Sequence, residues 1–93
     1  MEEDMNMFVI ATAARLAAET YTGRPCAVLN SSPKLGVAYE IATGAGCSRI
    51  ARVYMDGRVE WHVTGYVPRD FDSRMADVMR NLMPVARRVA ASW

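Results

Sequence analysis

Apolar residues recur every three to four positions at both ends of the chain and every second position between them. That change of period predicts helix, then strands, then helix. Residues 4–20 read as the first helix. Asp4 is its expected N-cap, Glu2 and Glu3 sit near the positive end of its dipole, and Gly23 and Pro25 stop it. The helix lacks a polar face. Met5, Val9, Thr12 and Leu16 make one stripe, and Met7, Ile10, Ala14 and Ala18 make a second on roughly the opposite side. A helix apolar on both sides has to be covered on both. One side is assigned to the sheet and the other to a second helix or another chain.

A short strand is expected from Cys26 to Leu29, then a turn cluster from Asn30 to Lys34, then an alternating strand from Leu35 to Thr43. Thr43-Gly44-Ala45-Gly46 reads as a loop. Between residues 49 and 66, Asp56-Gly57 separates two alternating runs. That marks a two-residue hairpin turn with both residues at positive φ. Its register opposes Val53 to Glu60 and Arg52 to Trp61, with the Arg52 guanidinium over the indole. Ile50, Arg52, Tyr54, Val59, Trp61 and Val63 then face the core. The other face, with Gly36, Ala38, Ala42, Ala51 and Val53, is small and flat.

Pro68 ends the strands, and Asp70 is expected to cap the second helix with Asp72 in its first turn. Phe71, Met75, Val78, Leu82, Val85 and Val89 form its apolar stripe. Arg69, Arg74, Asp77, Arg80, Arg87 and Arg88 take the wet side, and Pro84 predicts a kink or break. The expected fold is a single α+β domain over residues 1–93, in the order α-β-β-β(-β)-α. It is an antiparallel three- or four-stranded sheet with two helices packed on one face.

The length of 93 residues fits one domain with one core. The net charge of +1 supplies no global field toward nucleic acid or membrane. The sequence between Met5 and Tyr21 is too short and too polar to span a bilayer, and the acidic N-terminus is unlike a secretory signal. Location in the cytoplasm is expected. Cys26 and Cys47 then read as buried reduced thiols, with a bridge between them as the alternative.

Catalytic chemistry finds little to stand on. His62, the only histidine, falls on the polar side of the hairpin near Arg49, Arg58 and Glu60. In the expected register Cys47 lies near Tyr66, about 13 Å from His62, too far for a nucleophile–base pair. Two cysteines and one histidine do not make a metal set. Glu40 and Glu60 could face each other, but on an open surface where no pocket tunes a carboxyl. The stretch Thr43 to Arg49 has two glycines of a phosphate loop but precedes a strand and lacks the lysine. No catalytic residue, cofactor or metal is assigned.

The helix–strands–helix order resembles double-stranded-RNA-binding domains in topology. Those domains carry a lysine cluster at the start of the last helix. Here that stretch reads Arg69-Asp70-Phe71-Asp72-Ser73-Arg74, and its acids repel phosphate. In size and lack of chemistry the chain is similar to small phage or mobile-element inhibitors, including anti-CRISPR proteins. The favoured expectation is therefore a non-enzymatic inhibitor acting by protein–protein contact, and a homodimer. Self-association is placed on Met7, Ile10, Ala14 and Ala18. Partner binding is placed on Arg49, Arg58, Glu60, His62, Arg80, Arg87 and Arg88. The alternatives are nucleic-acid binding through the arginine side of the second helix, and a small enzyme.

Overall fold

The structure is a computed structural model that describes residues 2–31, 36–44, 48–63 and 67–92, with side chains from Met7 onward. It has the predicted α+β architecture with four strands: α1 (Glu2–Thr22), β1 (Cys26–Asn30), β2 (Val37–Thr43), β3 (Ser48–Tyr54), β4 (Val59–Trp61) and α2 (Phe71–Ala91). The strands run antiparallel in the spatial order β1-β2-β3-β4, so each neighbour in sequence is a neighbour in the sheet.

The first helix begins before its expected cap, and Asp4 lies inside its first turn. Its end follows the expectation. Gly23 takes φ +70° and donates its N–H to the Glu19 carbonyl at 2.8 Å, a left-handed stop that suits glycine. Glu19 then ties the chain into the sheet. Its carboxylate accepts from the Cys26 amide at 3.0 Å and from Arg15 at 3.1 Å.

Both apolar sides of α1 are buried within the chain. Met7, Ile10, Ala11, Ala14 and Ala18 pack on Ile41, Ile50, Ala51 and Val53 of the sheet. Val9, Ala13 and Leu16 pack on Met79, Met83, Ala86 and Ala90 of α2. The second helix, not a second chain, provides the other cover. Thr12 is also buried, and its hydroxyl is satisfied by the Phe8 carbonyl at 2.8 Å.

The second helix meets α1 along a seam of small residues: Ala13 and Ala17 on α1, Ala86 on α2. Small side chains allow the backbones to approach closely. The seam shifts the stripe expected from large residues. Phe71, Met75 and Ala86 are buried, whereas Val85 is exposed. Phe71 anchors the start of α2 edge-to-face against Tyr21 and Trp61, at 5.1 and 6.3 Å between centroids. Asp70 holds the N-cap position without capping. Its carboxylate pairs with Arg74 at 2.9 Å instead. Helix α2 runs unbroken through Pro84, which is exposed, so the carbonyl it cannot pair faces the solvent side.

The hairpin departs from its predicted turn. The Tyr54 amide bonds the Arg58 carbonyl at 2.8 Å and the Gly57 amide bonds the Tyr54 carbonyl at 2.9 Å, so three residues, Met55 to Gly57, make the loop. Gly57 alone has positive φ, at +92°. The longer loop moves the register by one residue: Val53 faces Val59, Arg52 faces Glu60 and Ala51 faces Trp61. A one-residue slip exchanges the faces. Ala51 and Val53 therefore point into the core, and Arg52 and Tyr54 point out. The expected stacking of Arg52 on Trp61 is lost with that register. Between β2 and β3 the pairing also skips, leaving Ala38 and Ile50 as extra residues. The bulge explains why Ile50 and Ala51, adjacent in sequence, are both buried.

Candidate functional site

The face of the sheet turned away from α1 is covered by neither helix. Its centre is a cross-strand row in which Glu40 faces Arg52 and Arg52 faces Glu60. The two carboxylates expected to oppose each other are thus separated by a guanidinium. Arg49 hydrogen-bonds one oxygen of Glu40, and Arg52 reaches the other at 3.3 Å. On the far side of the row, Glu60 Oε1 accepts from the Tyr54 hydroxyl at 2.7 Å and lies 2.9 Å from His62 Nε2. Arg58 closes the lattice by stacking over the Tyr54 ring, 4.1 Å from its centroid.

The charges tune each other. The hydrogen bond from Arg49, and then the field of Arg49 and Arg52, holds Glu40 below the usual glutamate value of 4.5. The hydrogen bonds from Tyr54 and then His62 hold Glu60 below it as well. Both stay ionised near neutral pH. The His62–Glu60 pair lies on open surface, with side chains 37% and 44% exposed.

Of the residues expected to bind a partner, Arg49, Arg58, Glu60 and His62 come together on this face. Arg80, Arg87 and Arg88 stand exposed on α2, on the helix side of the sheet, and belong to a different surface. Arg80 is paired with Asp77 at 2.6 Å. Glu40, considered from sequence only as a facing partner of Glu60, completes the face together with Arg52 and Tyr54, which the expected register had turned toward the core. The signal for Arg52 and Tyr54 was present in the period-two pattern but depended on the length of the turn.

The stripe of Met7, Ile10, Ala14 and Ala18, expected at a self-association surface, lies between α1 and the sheet. Cys26 is buried with a free thiol, and burial pushes its pKa above 9.0. Cys47, its expected bridging partner, lies outside the described residues, as do Tyr66 and most of the loop after Thr43. Among the described residues no group of three His, Cys, Asp or Glu gathers to hold a metal, and no helix is long and apolar enough to cross a membrane.

No known protein family, curated protein or solved structure matches the chain.

Proposed function

We propose that this chain is a non-enzymatic protein-binding domain, and that the outer sheet face of Glu40, Arg49, Arg52, Tyr54, Arg58, Glu60 and His62 is its contact surface. One observation carries the reading: the sheet face that neither helix covers is a lattice in which Arg49 and Arg52 hold Glu40, Tyr54 and His62 hold Glu60, and Arg58 stacks on the tyrosine. Arginine and tyrosine are the residue types that most often anchor protein interfaces, because they bring large contact area with directed hydrogen bonds. The lattice holds these side chains in place before a partner arrives, which lowers the ordering cost of binding. A role as a small phage or mobile-element inhibitor is the form of this activity that the size of the chain suggests.

The same lattice argues against phosphate as the partner. Glu40 pairs with both Arg49 and Arg52, and Asp56 lies 4.0 Å from Arg58, so the arginines that would attract a nucleic-acid backbone already have acidic partners. If nucleic acid binds, the exposed Arg80, Arg87 and Arg88 of α2 are the surface for it.

The test uses three matched baits in extracts of the native host: wild type, Arg49→Ala/Arg58→Ala, and Arg87→Ala/Arg88→Ala. A protein retained by the wild type and the α2 variant, and lost by the sheet-face variant, is the expected result. Loss on the α2 variant instead, with affinity for mixed nucleic acid that falls steeply as salt rises, would establish the nucleic-acid reading.

A further inference from the structure

Strand β4 is an edge of the sheet, and its free side opens on a groove. One wall is Gly57 to Trp61 and the other is Asp72, Ala76 and Met79 of α2. Arg58 and His62 direct backbone groups to β3, through the Tyr54 N–H to Arg58 carbonyl bond and the His62 N–H to Ile50 carbonyl bond at 2.7 Å. An antiparallel ladder alternates, so Glu60 also points inward, and the N–H and C=O groups of Val59 and Trp61 point out of the sheet. Among the described residues no turn, loop or cap bond takes them up. An edge with unpaired backbone groups is a template for another strand.

We propose that a second copy of this chain occupies that edge, with the two β4 strands antiparallel about a two-fold axis at Val59. The charge order Arg58-Val59-Glu60 is its own complement. With Val59 beside Val59 of the other copy, each Arg58 stands opposite the other copy's Glu60. Centring the axis on Glu60 would instead set two glutamates side by side, a destabilising cross-strand pair. The Val59 register joins the outward-pointing N–H and C=O of the two valines in both directions. Gly57 then stands opposite Trp61.

The other edge of the sheet suits this role less. On β1 the Cys26 amide is already taken by Glu19, and the strand carries no charge to fix a register. Pairing β4 to β4 also closes after two copies, whereas β4 to β1 would grow without end. The paired seam is short, and interfaces below roughly 1,200 Å² belong to the weak, transient class, so weak association is expected. This arrangement would join two four-stranded sheets into one of eight, with both charged faces on the same side. It does not depend on what those faces bind.

Sedimentation equilibrium from about 10 μM to about 1 mM tests it without any partner, a range chosen to bracket weak association. The wild-type mass should rise from 10.3 kDa toward twice that value. Val59→Pro removes an N–H that β3 does not use, and should stay monomeric throughout. Arg58→Glu alone should weaken association about tenfold, because two attractive pairs become repulsive. Arg58→Glu combined with Glu60→Arg should restore it. The charge exchange keeps the test decisive should Val59→Pro not fold. A monomer at the highest concentration would overturn the proposal. So would association indifferent to both sets of variants, or growth beyond the dimer.

Discussion

Gly57 shows how one residue decides which side chains the protein presents. At φ +92° it completes a three-residue loop, and that loop sets the register of β4 on β3. A side chain there would meet Ile10 Cδ1 at 3.5 Å, an ordinary contact, so space is not the obstacle. The obstacle is conformational, since a β-branched residue resists positive φ. Gly57→Val is expected to cost about 1 to 3 kcal/mol by urea unfolding. An unchanged midpoint would show that the loop relaxes at no cost. The sequence marked this turn correctly through Asp56-Gly57 but could not say whether two residues or three would span it. Asp56 resolves the question by staying at negative φ and accepting the Arg58 amide at 2.9 Å. Strand β3 changed faces with it, bringing Ala51 and Val53 into the core and Arg52 and Tyr54 onto the outer face, whereas Val59 and Trp61 of β4 face the core as expected. The site was therefore half legible: the grouping of Arg49, Arg58, Glu60 and His62 was visible, the place of Arg52 and Tyr54 beside them was not.

At the scale of the element, α1 was recognisable because its all-round apolar surface demanded two covers. What supplied the second cover was not readable, because the seam rests on alanines, which weigh little in a hydrophobic pattern. Those alanines make a testable claim. Ala13→Leu inserts a branched side chain between α1 and Ala86 and should destabilise the domain by about 1 to 3 kcal/mol. If that variant melted like the wild type, the helices would not be in close approach. Ile10→Asp discriminates further. With Ile10 packed on the sheet, the aspartate is buried without a partner and should unfold the protein, as read by far-UV circular dichroism. A folded monomer from that variant would instead place Ile10 at an interface between chains. The outer face makes its own element-scale claim about pH. Glu40 and Glu60 have folded-state pKa values below 4.5, so their contribution to stability is fully present above that value and is lost as pH falls through the lowered ones. Acid unfolding should therefore steepen below pH 4.5, and Glu40→Gln should flatten the profile there. A profile unchanged in the variant would show that the Arg49 and Arg52 contacts to Glu40 do not persist in solution.

The whole molecule was the most legible level, since the alternation of periods along the chain pointed to helix, antiparallel sheet and helix. Its strands pair as they are made: β2 finds β1, β3 finds β2 and β4 finds β3, each across a short connection. Such pairing closes small loops and is fast. The seam of Ala13, Ala17 and Ala86 is the exception, because it joins the first element to the last. During synthesis α1 leaves the ribosome with both flanks bare, and the sheet can shelter only one of them. Val9 and Leu16 wait uncovered until the C-terminal helix has been made. That interval, set by translation speed and not by the stability of the finished domain, is when the chain is most open to capture by a chaperone or to misassembly with another nascent copy.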